Sequence, residues 1–136
     1  MSRVHGQCPA CGGDADWYVS ESIGAGADLL WSRALRCSHC GRALEEDFRG
    51  LPPPSVRDAL VAQNGIWRLE IVNASERARA VAVLRGLLGL DLKTASAMLK
   101  GRDRALWSGT QVEAKWLEQH LERDGLRVEL IAPPDR

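Results

Sequence analysis

The sequence predicts an α+β fold in two units, and three features carry that reading. Two Cys-x-x-Cys-Gly segments, "CPACGG" and "CSHCGR", bracket a stretch rich in aromatic and β-prone residues. A run of three prolines, "LPPPS", then breaks the chain. Beyond it, an alternating strand pattern gives way to apolar residues at helical spacing, and a second strand-like stretch closes the sequence. The expected organisation is a β-hairpin unit over residues 1–50, a proline-rich hinge with a short helix over 51–66, and a small unit of order β-α-α-β-α-β over 67–136.

Composition narrows the partners. The 136 residues carry 18 Lys plus Arg against 18 Asp plus Glu, so no net field draws the protein to nucleic acid or an anionic membrane. No apolar run reaches the roughly 20 residues of a membrane span, and "MSRVHGQ" lacks the apolar core of a secretory signal. A cytoplasmic location is expected. In that reducing setting, four cysteines in two pairs favour a metal over disulfides.

Cys8 and Cys11 form the first pair, Cys37 and Cys40 the second, each followed by a glycine, Gly12 or Gly41. A Cys-x-x-Cys turn aims two thiolates at one point among free backbone amides, and the glycine supplies the positive dihedral that the tight turn needs. Two such knuckles make a closed tetrathiolate set. A catalytic zinc keeps one coordination position open, and four cysteines leave none, so a structural Zn2+ is the leading role. Redox chemistry or reversible metal sensing is the competing one. His5 and His39 are each able to replace a thiolate, but with four cysteines matched they read as solvated or outer residues. Between the knuckles, "DWYVSES" and "LLWSRALRC" read as strands joined by the loop "IGAGAD". Residues 8–48 thus resemble a zinc ribbon, a β-hairpin with a knuckle at each base.

The prolines disfavour helix before Ser55, which is expected to cap the helix "VRDALVAQN" ended by Gly65. In "WRLEIV", Trp67, Leu69 and Ile71 share one face of a strand. The helix "SERARAVAVLRGLLG" takes Ser75 as its cap and presents Ala80, Val83, Leu84, Leu87 and Leu88 as its apolar stripe. In "DLKTASAMLK", a second helix, the expected core is Leu92, Ala95, Met98 and Leu99. "RALW" reads as a short extended segment, and Thr110 with Glu113 forms a capping box for a third helix that Gly125 stops. On that helix Ala114, Leu117 and Leu121 face the sheet, whereas Val112 and Trp116 lie well round from them. Trp116 is therefore expected to be covered by residues before Trp67 or by a second chain, or else to dock a partner. "LRVELI" is the closing strand.

The segment "AVAVLRGLLGLDLKTASAMLK", with the ending "LERDGLRVEL", resembles the C-terminal domain of the bacterial large-subunit ribosomal stalk protein over residues 67–131. Arg85, Gly86, Gly89, Leu90, Leu92, Lys93 and Ala95 match that family's layout. The resemblance implies recruitment of a translational GTPase, or a place on the ribosome, through a basic surface on the first two helices. Arg77, Arg85 and Lys93 keep basic character there, while Ala82 and Ser96 stand where the family usually has lysine. The family's own N-terminal dimerisation region is replaced by the cysteine-bearing unit.

An enzyme is not expected: the chain shows no phosphate-cradling glycine loop and no nucleophile with a paired histidine. His120 reads as a solvated helical residue. The leading expectation is a non-enzymatic protein-interaction module with Trp116, Arg77, Arg85 and Lys93 as partner-binding residues. An immunity or regulatory protein reusing the fold is the alternative. Nucleic-acid binding by the ribbon is weaker, since residues 1–50 hold five basic against seven acidic residues.

Overall fold

The computed structural model describes residues 2–101 and 104–134, in two compact units, Met1–Gly65 and Ile66–Arg136. The protein is α+β. In the first unit four strands run β1 (Ser2–Gln7), β2 (Asp14–Ile23), β3 (Leu29–Arg36) and β4 (Ala43–Arg49), each antiparallel to the next. The expected hairpin is therefore only the inner pair of a four-stranded sheet. Both outer strands pair along one edge alone, so their outward residues stay polar and dilute the alternation that a sequence reading depends on.

On β2 and β3 the inward set is Ala15, Trp17, Val19, Leu29, Trp31 and Leu35, all buried. Arg33 shares that parity and is accommodated by stacking: its guanidinium sits 4.3 Å from the Trp17 ring centroid and pairs with Glu46 at 3.0 Å. The helix after the prolines, α1 (Pro54–Asn64), buries Val56 and Leu60 against Val19 and Trp31. It belongs to this first unit. Its start corrects the expected Ser55 cap, because Pro53 stands at the N-cap and Pro54 opens the helix, where a missing N–H costs nothing. The expected breaker, Gly65, does close it with φ of 83° and an N–H given to the Val61 carbonyl.

The second unit runs β5 (Trp67–Ile71), a 3-10 turn (Ala74–Glu76), α2 (Arg77–Leu88), α3 (Leu92–Lys100), β6 (Ala105–Gly109), α4 (Gln111–Arg123) and β7 (Val128–Ile131). Its sheet has the order β6-β5-β7, antiparallel throughout, so the alternating strand β5 is central and Leu69 and Ile71 are fully buried. Ser75 is not the cap of α2. Glu76 stands at that cap with no side-chain bond, and Asn73 caps the preceding 3-10 turn instead, its side chain accepting from the Ser75 N–H at 3.1 Å. α2 buries Arg77, Ala80, Val81 and Leu84, a stripe rotated toward Val81 from the one expected. Thr110 caps α4 as its box requires, accepting from the Glu113 N–H at 3.1 Å.

The largest departure is α3. Of its four expected core residues only Ala95 is buried; Met98 is half-buried, and Leu92 and Leu99 are 65% and 48% exposed. α3 packs against α2, and half of its expected apolar stripe, Leu92 and Leu99, is left exposed. No helix of the described residues is long and apolar enough to cross a membrane.

Candidate metal centre and interaction groove

The two knuckles are the β1–β2 and β3–β4 connections, which an antiparallel meander brings to the same end of the sheet. They are built alike. In the first, the Cys8 N–H donates to the Gly13 carbonyl at 2.9 Å and the Gly12 N–H to the Cys8 carbonyl at 2.8 Å; in the second, Cys37 donates to Arg42 and Gly41 to Cys37, both at 2.9 Å. Gly12 and Gly41 each have φ of 74° with nothing within 4 Å of an added Cβ, so these glycines serve backbone conformation and not space.

The four sulfurs converge. All ligand atoms of Cys8, Cys11, Cys37 and Cys40 lie within 4.8 Å of one another, with Cys8 to Cys40 at 3.7 Å and Cys11 to Cys37 at 3.6 Å. A disulfide needs about 2.05 Å, and none of the four is bridged. A tetrahedron of sulfurs about 2.3 Å from a central ion has edges of about 3.8 Å, which the two short separations match closely. The donor set therefore fits a metal ion. It comprises the four cysteines and neither histidine: His5 hydrogen-bonds Asp16 at 3.4 Å, while His39 lies against Gly13, 2.8 Å from where a Cβ would stand.

Local backbone prepares the buried thiols for this. The Cys40 amide, helped by that of His39, lowers Cys37 to about 6, and the amides of Cys11 and Ala10 lower Cys8. For Cys11 the Gly13 amide pulls the other way from its neighbours, and sharing protons with the Cys37 thiol, desolvation and the sulfurs of Cys40 and Cys8 together push it up to about 11. The thiols of Cys8 and Cys37 are thus pulled toward thiolate while that of Cys11 is pushed the other way. A bound cation removes that conflict, since coordination holds every sulfur as thiolate.

In the second unit, Ala78, Val81, Ala82, Arg85, Gly86, Gly89, Leu90, Ala95 and Leu99 line an apolar groove of about 570 Å³ between α2 and α3. Of the expected contact residues, Arg85 and Lys93 are exposed here. Arg77 is not: it is 9% exposed and gives its guanidinium to the Met98 carbonyl at 3.3 Å, tying the start of α2 to the end of α3. Trp116 is 6% exposed, its ring edge-on to His120 at 5.4 Å. The buried arc of α4 runs from Trp116 through Glu113, Leu117 and Leu121 to Ala114, wider than the narrow face expected, because α4 meets all three strands and α2. Leu92 and Leu99 were expected in the core and so were missed as surface residues; periodicity alone carried no signal of their exposure.

Comparison with protein-family models, curated proteins and solved structures finds no match.

Proposed function

We propose that the chain is a non-enzymatic protein-binding module, in which a structural zinc held by Cys8, Cys11, Cys37 and Cys40 stabilises the first unit and the α2–α3 groove of the second captures a partner. The observation that carries this reading is the open part of the apolar stripe of α3, where Leu99 lines the groove half-exposed and Leu92 stands exposed on the same helix. Large exposed aliphatic residues around an open apolar groove are the mark of a contact surface. Among the described residues, Arg85, Lys93 and Lys100 have no carboxylate partner, and Asp91, at the start of α3, is engaged as its cap.

That charge pattern selects the occupant. A second copy of the chain would set the same three cations against themselves around a two-fold axis, which disfavours self-association. An acidic segment bearing aliphatic residues suits it, laid into the groove with its carboxylates toward Arg85 and Lys93. The resemblance of residues 67–131 to the ribosomal stalk domain names the candidate owner of such a segment, a translational GTPase.

Titrating the full chain with purified translational GTPases in their GTP-analogue state tests both parts. Binding should weaken at least about fivefold in Leu99→Asp and in Arg85→Glu, a loss of about 1 kcal/mol, while the melting temperature holds. Binding indifferent to both changes removes the groove. No binding to any of these GTPases removes the translational partner.

A further inference from the structure

The four sulfurs of the metal centre differ in their access to solvent. Cys8 and Cys37 are each 1% exposed, packed with Ala15, Trp17 and Leu35 in the core of the first unit. Cys11 and Cys40, the second cysteine of each knuckle, are exposed. The knuckles are built alike, so the exposed pair comes from different knuckles and faces solvent together at one end of the sheet. We propose that Cys11 and Cys40 form an oxidative modification site, at which hydrogen peroxide joins them in a disulfide and expels the metal.

Proximity permits this pair, and burial selects it over the shorter Cys8–Cys40 and Cys11–Cys37 separations of 3.7 and 3.6 Å. The Cys11 and Cys40 sulfurs lie within 4.8 Å, so closing to a bond of about 2.05 Å needs an approach of under about 3 Å by two side chains on exposed turns. Coordination keeps both as thiolates, the form that attacks peroxide. The inner pair is protected by burial, since Cys8 and Cys37 pack in the core of the first unit. Every other bridge among the four, within a knuckle or across the two, would require Cys8 or Cys37 to leave its apolar surroundings.

The chemistry balances as follows. One exposed thiolate attacks the peroxide, an S–O bond forms as the O–O bond breaks, and hydroxide leaves. The second thiolate then attacks that sulfur, the S–S bond forms as the S–O bond breaks, and a second hydroxide leaves. Two electrons pass from the sulfurs to the peroxide, and two protons from solvent turn the hydroxides into water. Only Cys8 and Cys37 remain as donors, too few for a closed site, and the cation departs. Unlike simple removal of the metal, the new bridge still ties the two knuckles together, so the α1 end of the first unit, where Val19, Trp31, Val56 and Leu60 pack without a cysteine, is held and the event is a local opening of the knuckles.

This inference rests on the zinc reading but not on the groove. The test treats the full, zinc-loaded chain with hydrogen peroxide, reads released zinc with a chromogenic chelator, and maps disulfides by peptide mass spectrometry without reduction. Zinc should appear in step with one bridge, Cys11 to Cys40, and a thiol reductant with added zinc should reverse it. Iodoacetamide should alkylate Cys11 and Cys40 of the loaded protein before Cys8 and Cys37. A first bridge that includes Cys8 or Cys37, or retention of zinc under conditions that fully oxidise glutathione, overturns the proposal. Purified protein that contains no zinc before peroxide is added overturns instead the zinc reading on which it stands.

Discussion

Arg77 and Arg85 stand eight positions apart on the same helix, yet the structure gives them different work. The Arg77 guanidinium is buried against the Met98 carbonyl, whereas Arg85 lines the open groove. Removing a buried, hydrogen-bonded cation leaves a carbonyl without its donor and a hole where the side chain packed, while an exposed arginine contributes little to stability. Arg77→Ala should therefore lower the stability of the second unit by about 1–2 kcal/mol, and Arg85→Ala should leave it unchanged. Denaturant midpoints of the two variants check this. Equal midpoints would mean that the Arg77 contact is not maintained in solution. In the sequence both residues carry the same charge and share a helix with alternating polar and apolar residues; only the side chain's destination separates them, and that depends on where α3 returns.

At the scale of elements, what the sequence revealed tracks how local each signal is. The capping box of Thr110 and Glu113, the Gly65 stop and the alternation of β5 were legible because cap, stop and pleat are set within a few residues. β1 and β4 were not. "SRVHGQ" and "ALEEDFR" become strands by pairing with β2 and β3, a property of the neighbours more than of the segment. The helical spacing of Leu92, Ala95 and Leu99 was equally plain, but a stripe defines a face without supplying anything to cover it, and here Leu92 and Leu99 stay exposed. α3 is held instead at its start, where the Asp91 carboxylate accepts from the Thr94 N–H at 2.7 Å. That amide, with the Thr94 hydroxyl after it, lowers the Asp91 pKa. A carboxyl depressed by folding stabilises the helix fully above its ordinary value of about 3.9 and loses that effect as pH falls through the lower, folded value. The Thr94 amide resonance should accordingly move in acid, below about pH 4, while Asp91→Asn, whose side chain also caps, should keep α3 and abolish the titration. A Thr94 resonance with the same acid transition in Asp91→Asn would refute the cap as its source.

On the scale of the whole molecule, the two units differ in what holds them together. The core of the first is divided: Cys8 and Cys37 pack with Ala15, Trp17 and Leu35 near the knuckles, while Val19 and Trp31 pack under Val56 and Leu60 of α1. Two of the proposed ligands are thus themselves core residues. A unit of this size buries too little surface to be robust alone, and binding energy at a tetrathiolate site is folding energy, because the unfolded chain has no preformed site. The second unit builds its core from Leu69, Ile71, Ala80, Val81, Leu84, Leu117 and Leu121, with no cysteine among them. Metal removal should therefore divide the molecule. Protein purified without chelator should hold one zinc per chain by elemental analysis, and a strong chelator under reducing conditions, or Cys37→Ser, should strip it. Amide protection should then collapse along β1 to β4 and persist in β5, α2 and α4, with far-ultraviolet dichroism keeping most of its helical signal. Because protons compete with the metal for thiolate, the same loss should come on at lower chelator concentration as pH falls. Chelation that melts both units in one transition would show that the second depends on the metal as well, and protection of the four strands unchanged after zinc is gone would show that the thiolate cluster is not what holds the first.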